Sequence, residues 1–268
     1  MEPEKDYIEI NRQAWNLRTP VHLGSEFYDV KSFLEGKSSL NDIELGLLGD
    51  IKGKSLLHLQ CHFGQDTISL ARMGAHVTGV DLSDKAIEAA NDLSRQTGAD
   101  ARFICCDLYD LPQHLSDSFD IVFTSYGTIG WLPDINRWAG IVARYLKPGG
   151  LFVIADFHPV VWMFDDDFRQ VKYRYFNSEP IVEVSEGTYA DRSADVQYNS
   201  VGWNHGLGEV VTALIRNGLE IRQLNEYDYS PYSCFRHLEK HGEKCYRING
   251  IGDKMPMVYA IEAVKKKV

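Results

Sequence analysis

The chain has 268 residues, 44% of them hydrophobic, and carries a formal net charge of −10 at pH 7. That length and apolar fraction suffice for one sizeable core, with chain left over for an insertion. An acidic surface repels phosphate backbones and anionic lipid, which argues against a nucleic acid or a membrane as partner. No apolar run reaches the roughly 18–20 residues of a membrane helix, and the charged start MEPEKDYIEI lacks a signal-peptide core.

The cysteines indicate a reducing environment. Five are present, at positions 61, 105, 106, 234 and 245, and they form no CxxC motif. The odd number and the adjacent pair favour free thiols over a disulfide framework. We therefore expect a cytoplasmic protein. The sequence sets no oligomeric state.

The N-terminal segment, residues 1–50, is expected to form a helical lid. Apolar residues recur at helical spacing over residues 5–17, whereas residues 18–37 read as irregular and aromatic. Ser38 or Ser39 is a candidate N-cap for a second helix before the first strand.

Strands and helices alternate over residues 51–157, which we expect to be a cofactor-binding core. Short apolar runs predict strands at 55–59, 76–80, 101–106, 119–124 and 151–155. Amphipathic segments between them predict helices, with Ser83 and Asp134 as N-caps, Gly98 as a stop and a turn at KPGG. This alternation is typical of parallel strands with helices on both faces, whose ligands bind outside the carboxyl ends of the strands.

The alternation breaks over residues 158–204. Three tyrosine-rich runs there, VKYRYF, PIVEVSEGTYA and VQYNSV, have the period of antiparallel strands and predict an inserted β cap. The pattern resumes over residues 205–268 with a helix at 207–217 and strands at 219–224 and 257–264. We expect this last part to complete the core sheet.

Two carboxylates follow the second and third predicted strands. Asp81 lies about 20 residues past the first loop, the spacing at which a carboxylate accepts both hydroxyls of a ribose. Asp107 is placed to accept from an adenine amino group. Leu82 and Leu108, next to these acids, are placed to sandwich the adenine ring.

The first loop, HLQCHFGQDT, discriminates between nucleotide ligands. It keeps only Gly64, while Gln60, His62 and Gln65 fill the slots of the G-x-G-x-x-G fingerprint that lets a pyrophosphate approach bare backbone. A nicotinamide oxidoreductase is therefore the weaker alternative. S-adenosylmethionine has the ribose and the adenine but no phosphate, and its zwitterionic methionine tail tolerates larger loop side chains. The residues favour it as cofactor, with S-adenosylhomocysteine as product.

The whole motif series resembles the class I S-adenosylmethionine-dependent methyltransferase family, small-molecule branch. The resemblance spans roughly residues 50–160, and 205–264 more weakly, through LLHLQCHFGQDT, VTGVDLS, CCDLYDL, FDIVFTSYGTIGWLPD, LKPGG and LFVIADFHP. It implies a doubly wound, mostly parallel seven-stranded sheet, the Rossmann-like methyltransferase fold, with its last strand antiparallel. Here that α/β sheet would carry the inserted antiparallel β cap.

The resemblance transfers the ribose and adenine roles to Asp81 and Asp107. The family's first motif is altered, because His58 replaces its acid while Gln60 and His62 replace its first two glycines. Further cofactor contacts are expected from Gln60, Cys61, Gly64, Asp66, Thr67 and Ser125, and from Trp15 and Tyr28 in the lid. The altered loop leaves a non-catalytic S-adenosylmethionine- or S-adenosylhomocysteine-binding protein as an alternative.

Three residues are candidates on the acceptor side: Tyr126 after the fourth strand, His158 after the fifth, and His205 before the helix at 207–217. A histidine near pH 7 can take a proton from a hydroxyl or amine during methyl transfer by in-line displacement. A structural hydrogen-bonding role is the competing interpretation for both histidines. The tyrosine-rich insertion favours a small, partly apolar or aromatic acceptor, and no metal site is expected.

Overall fold

A computed structural model describes residues 3–267 as alternating helices and strands. The helices are α1 (Pro3–Gly24), α2 (Val30–Leu34), α3 (Asp42–Leu48), α4 (Gln65–Arg72), α5 (Asp84–Thr97), α6 (Ile135–Tyr145) and α7 (Leu207–Arg216). The strands are β1 (Ser55–Leu59), β2 (His76–Asp81), β3 (Ala101–Cys105), β4 (Phe119–Ser125), β5 (Leu146–Phe157), β6 (Ile181–Glu186), β7 (Gln197–Gly202), β8 (Leu219–Tyr227), β9 (Leu238–Gly242), β10 (Cys245–Ile248) and β11 (Val258–Lys265). Among these described residues, no helix combines the length and apolarity needed to cross a bilayer.

A central sheet orders the strands β3-β2-β1-β4-β5-β11-β8. Strands β1 to β5 pair in parallel, and β11 pairs antiparallel with both β5 and β8. Alternate residues of β4 and β5 enter two separate apolar clusters, one packed on α6 and α7 and the other on α3. Because alternate residues point to opposite faces of a strand, both faces of the sheet are covered. The predicted doubly wound, mostly parallel seven-stranded fold is confirmed.

Several local signals of the sequence act as predicted. The Ser83 hydroxyl accepts from the backbone N–H of Ala86 and begins α5, while Gly98 ends that helix at φ 65°. Asp134 caps α6 by accepting from the N–H of Arg137. These caps are local hydrogen bonds between near neighbours, which is why sequence alone identifies them.

The N-terminal segment differs from the expectation. Residues 18–24 are helical, because α1 continues through Pro20 to Gly24 instead of ending near residue 17. The buried side chains of Thr19 and His22 hold this last part of α1 against the protein. The N-cap of α3 is Asn41, with Glu44 completing a capping box, so the predicted caps at Ser38 or Ser39 were wrong.

The inserted region contains one antiparallel hairpin, formed by β6 and β7. The run VKYRYF is not a third strand: apart from a bridge between Phe164 and Val171 it is irregular, and the N–H groups of Lys172 and Tyr173 both donate to the carbonyl of Met163. KPGG lies inside β5 instead of forming a separate turn. The hairpin of β9 and β10 was not predicted.

The N-terminal helix docks onto the inserted hairpin. The Asn11 amide donates to the carbonyl of Val201 at 2.8 Å and accepts its N–H at 2.9 Å. The rings of Tyr7 and Trp203 meet edge to face, with centroids 5.2 Å apart. Helix α1 and the hairpin therefore form one cover.

Gly79 marks a close approach within the sheet. A Cβ there would lie 2.8 Å from the Sγ of Cys61 and 2.9 Å from the Cδ1 of Phe103.

We expect Gly79→Ala to lower the free energy of unfolding by about 1–3 kcal/mol through overpacking, measured by urea denaturation. As control, Gly46→Ala places its methyl in open space on α3 and should raise stability by about 0.5–1 kcal/mol. Equal effects of the two changes would contradict this account.

Candidate active site

A cavity of about 1350 Å³ opens at the carboxyl ends of β1, β2, β4 and β5. Residues of α1 and of the inserted hairpin line its other side, among them Trp15 and Tyr198. The predicted site residues that line it are Trp15, Tyr28, Gln60, Cys61, Gly64, Asp66, Asp81, Leu82, Asp107, Leu108, Ser125, Tyr126 and His205. Thr67 and His158 belong to the surroundings of the cavity instead.

Asp81 ends β2 and connects two loops of the cavity. Its Oδ2 accepts the N–H of His62 at 2.8 Å, and its Oδ1 accepts the N–H of Ser83 at 2.9 Å. Burial raises the pKa of this carboxyl to about 6. Each oxygen of an ionised carboxylate has two lone pairs, so Asp81 can accept two further hydrogen bonds from a ligand.

Asp107 lies on the neighbouring loop. Its Oδ1 accepts the N–H of Tyr109 at 2.8 Å and thereby begins the 3₁₀ turn Leu108–Gln113. Burial also raises the pKa of Asp107. Leu82 and Leu108, the residues that follow the two acids, line the same cavity. Two hydrogen-bond acceptors and two apolar side chains thus meet at one end of it.

The loop after β1 has positive φ angles at two residues that are not glycine. Gln60 and His62 have φ of 55° and 51°, the left-handed region that non-glycine residues adopt at a cost of about 1–3 kcal/mol each. Gln60 offsets part of this through its Nε2, which donates to the carbonyl of Thr128 at 2.8 Å. Its Oε1 is buried and has no partner. Gly64, at φ 81°, is the N-cap of α4, where a Cβ would lie 2.7 Å from Phe103.

Aromatic rings cover this loop. The Nε2 of His62 lies 2.9 Å from the Nδ1 of His22, and burial, followed by the charge of Arg18, lowers the pKa of His22 to about 3. Burial also lowers the pKa of His62 well below its usual value. Both rings are therefore neutral, with one donating to the other. Trp15 lies edge-on to His62 and Tyr28 stacks on His22.

A cluster of hydrogen-bonded polar side chains lies next to the loop after β1. His58, at the position of the family's acid, shares a hydrogen bond of 2.8 Å with the Thr67 hydroxyl, and burial lowers its pKa to about 4. A neutral imidazole replaces a carboxylate there. The Ser125 hydroxyl lies 3.5 Å from His58 Nε2 and donates to Oδ2 of Asp66 at 3.1 Å. Thr67 therefore positions His58 and does not reach the cavity.

The two histidines predicted on the acceptor side are both engaged within the protein. His158 accepts the N–H of Val160 at its Nδ1. Its Nε2 is buried and lies 2.9 Å from Glu226, close enough for an ion pair but without the geometry of a hydrogen bond. His205 lines the cavity, but its Nε2 donates to the carbonyl of Leu132 at 2.8 Å and its Nδ1 lies 3.2 Å from Glu209. A catalytic role for either stays a prediction that this geometry does not favour.

Tyr126 is paired with a buried carboxyl that sequence reasoning missed. The Tyr126 hydroxyl donates to Oε2 of Glu44 at 2.8 Å. Glu44 Oε1 accepts the backbone N–H of Asn41 at 2.6 Å and its amide at 3.1 Å. Burial, and then the charge of Asp66, raise the pKa of Glu44 to about 7. The capping box was a readable signal, but it gives no hint that Glu44 meets Tyr126.

Asp156 is a second missed residue. It is buried at the end of β5 and accepts hydrogen bonds from the backbone of Gly127, Thr128 and Ile129, and from the Thr128 hydroxyl at 3.0 Å. This carboxylate therefore fixes the loop that follows β4. Among the side chains described, those of residues 6–267, no three His, Cys, Asp or Glu residues are grouped so as to hold a metal ion.

Comparison with known proteins identifies the fold that carries this cavity. Residues 56–150 match the family model described as a methyltransferase domain. The stretch from β1 into β5 is therefore similar to a methyltransferase domain. An S-adenosylmethionine-dependent methyltransferase structure from Mesorhizobium loti aligns with 87% of this chain and 100% of that one, at TM-score 0.58 and 20% identity. At that identity the likeness shows the fold.

Two curated relatives are similar in sequence to about half of this chain. The 27-O-demethylrifamycin SV methyltransferase of Amycolatopsis mediterranei is 34% identical over 156 residues, which are 56% of this chain and 55% of the relative. The ubiquinone biosynthesis O-methyltransferase of Idiomarina loihiensis is 28% identical over 132 residues, 48% of this chain and 54% of the relative. The chain thus spans about half the length of these relatives.

The raised pKa of Glu44 gives a pH-dependent stability. Folded Glu44 binds its proton more tightly than the unfolded chain, so ionising it lowers the free energy of unfolding as pH rises from 4.5 to about 7. We expect Glu44→Gln to gain stability relative to the parent across this window, on the order of 3 kcal/mol at most. Urea denaturation at pH 5 and pH 8 measures it.

The control is Glu88→Gln, which alters an exposed carboxylate paired with Lys85 on α5. It should change stability by a few tenths of a kcal/mol, as is typical of surface ion pairs. The difference in free energy of unfolding between Glu44→Gln and the parent should change with pH. A difference that stays constant would show that Glu44 is not the titrating group.

Proposed function

We propose that this protein is an enzyme that transfers the methyl group of S-adenosylmethionine to a small-molecule acceptor. The observation that carries the proposal is the meeting of Asp81 and Asp107, with Leu82 and Leu108, at one end of the cavity. Free acceptor positions on the acids suit the hydroxyls of a ribose and the amine of an adenine, and the leucines suit the faces of the base. The methyltransferase domain identified by comparison supports the same cofactor.

The residues present also fit the methionine part of that cofactor. Gln60, in the loop after β1, has a buried Oε1 without a hydrogen-bond partner. This oxygen would accept a hydrogen bond from the ammonium group of the methionine part. Ser125 and Asp66 are further polar groups on the cavity wall. When bound, the cofactor supplies a methyl group on a sulfonium that is already activated for displacement. The protein's task is then to orient the acceptor and to exclude water.

We propose that Tyr126 and Glu44 handle the proton of the acceptor. A hydroxyl acceptor next to Tyr126 would pass its proton to the phenolic oxygen, while the proton of Tyr126 moves to Oε2 of Glu44. The transfer from Tyr126 requires that Glu44 is ionised. With a pKa of about 7, a substantial fraction of Glu44 is ionised at neutral pH. The rate should therefore rise with pH through about 7.

The acceptor is proposed to be a small, partly aromatic or apolar molecule that bears a hydroxyl. Tyr173, Tyr189, Tyr232 and Phe235 also line the cavity. The two curated relatives are named for methylating 27-O-demethylrifamycin SV and for O-methylation in ubiquinone biosynthesis, which supports an oxygen acceptor. A cytoplasmic location is also proposed, supported by the five cysteines, all of which are free.

The decisive test combines binding with turnover. S-adenosylmethionine is titrated calorimetrically, and S-adenosylhomocysteine release is then measured with a panel of phenols, catechols and hydroquinones. Product masses 14 units above the acceptor support the proposal. Binding without turnover on any acceptor would instead favour the non-catalytic binder, and preferential binding of NADH would overturn the cofactor assignment.

The two aspartates give a sharper prediction. Asp81→Ala and Asp107→Ala should each weaken S-adenosylhomocysteine binding about 10- to 100-fold, because each removes hydrogen bonds made by a charged group. The matched control is Asp110→Ala, on the same 3₁₀ turn as Asp107 but exposed. Unchanged affinity in both site variants, measured by calorimetry, would contradict the assignment.

The proton path predicts a pH effect on catalysis. Tyr126→Phe should lower kcat by about 10²-fold or more while leaving the S-adenosylhomocysteine affinity close to that of the parent. Glu44→Gln should lower kcat and remove the rise in rate near pH 7. Retention of that rise in Glu44→Gln, seen in a pH profile of kcat, would assign it to another group.

A further inference from the structure

Arg18 is a buried cation on the wall of the cavity. It projects from α1, is 8% exposed and is one of the lining residues. Its Nε has no hydrogen-bond partner, and none of the ion pairs formed among the described side chains of residues 6–267 involves it. A buried charge without an opposite charge is unfavourable, so proteins rarely keep one unless a ligand or partner completes it.

Three aromatic rings surround the guanidinium. Its Cζ lies 4.3 Å from the ring centroid of Tyr198, 4.8 Å from that of Trp15 and 5.1 Å from that of Trp131. Stacking stabilises the cation only in part and leaves the N–H groups at the edge of the guanidinium without acceptors. Trp15 belongs to α1, Trp131 to the loop after β4 and Tyr198 to β7. These three rings, called the aromatic cage below, therefore lie where the lid and the core meet.

The other titratable groups near Arg18 do not neutralise it. His22 and His62 have lowered pKa values, with the positive charge of Arg18 as a contributing cause after burial. Burial raises the pKa of Tyr189 to about 12, although the charge of Arg18 acts in the opposite direction. Tyr189 therefore stays neutral near pH 7. The surroundings are therefore neutral rings around one cation, a pattern that suits an incoming anion.

We propose that Arg18 binds a carboxylate of a ligand held in the cavity. The guanidinium has a planar fork of N–H donors, and the aromatic cage presets its plane for a carboxylate that approaches edge-on. Two sources supply this chemistry: the α-carboxylate of the cofactor's methionine part, or a carboxylate carried by the acceptor. The inference rests on the proposed function for the identity of those ligands, but not for the anion site itself.

The experiment compares ligands that differ only in the group concerned. S-adenosylhomocysteine is compared with 5′-methylthioadenosine, which lacks the amino-acid part, and 4-hydroxybenzoate is compared with its methyl ester, with and without S-adenosylhomocysteine. Affinities are measured by calorimetry for the parent, Arg18→Met and Arg18→Lys. Methionine keeps a long apolar side chain in the cage, and lysine keeps the charge without the planar fork. The control is Arg12→Met, on the same helix but paired with Glu9.

A loss of about 10- to 100-fold for S-adenosylhomocysteine in Arg18→Met, with 5′-methylthioadenosine unaffected, would assign the site to the cofactor carboxylate. The same loss for 4-hydroxybenzoate but not for its ester would assign it to the acceptor. Arg18→Lys should lose less than Arg18→Met in either case, and Arg12→Met should lose nothing.

Equal losses for charged and neutral ligands, or no loss at all, would overturn the proposal and leave Arg18 as a structural brace between α1 and β7. Failure of the parent to bind S-adenosylhomocysteine would refute the proposed function, while the benzoate and ester pair would still test the anion site.

Discussion

The loop after β1 and the end of β2 are held together by a hydrogen bond from the His62 amide to the Asp81 carboxylate. It holds His62 in a left-handed conformation. Burial raises the pKa of Asp81, because the ionised carboxylate is less well solvated there than in water. Hydroxyls that bind this carboxylate stabilise it and the loop together, which couples ligand binding to the order of the site.

The same loop is the basis on which we favour one class of nucleotide ligand over another. Gln60 and His62 have the positive φ that glycines usually adopt, and their side chains hydrogen-bond to the Thr128 carbonyl and to His22. A pyrophosphate needs bare backbone at such positions, which these two residues do not offer. A nucleoside without phosphate has no such requirement, in agreement with the proposed cofactor.

The parallel core and its two acids could be predicted because their signals are local. Strand period, helix caps and an acid just after a strand are readable within a few residues, as Ser83, Asp134 and Asp81 illustrate. Glu44 and Arg18 escaped because their surroundings are assembled from distant segments: Tyr126 is 82 residues from Glu44 in sequence, and the cage of Arg18 includes Trp131 and Tyr198. The helix through Pro20 and the irregular run at 171–176 likewise follow tertiary packing that overrides the local pattern.

The paired hydrogen bonds between Asn11 and Val201 join residues 190 positions apart. During synthesis, helix α1 emerges from the ribosome long before the strand that it must meet, and contacts of such separation form late because loop closure opposes them. The parallel core can assemble while α1 is still undocked. Strands β1 to β5 precede β7 in the chain, whereas β8 and β11 follow it. A nascent chain that stalls before β7 would therefore leave α1 without the hairpin on which it docks.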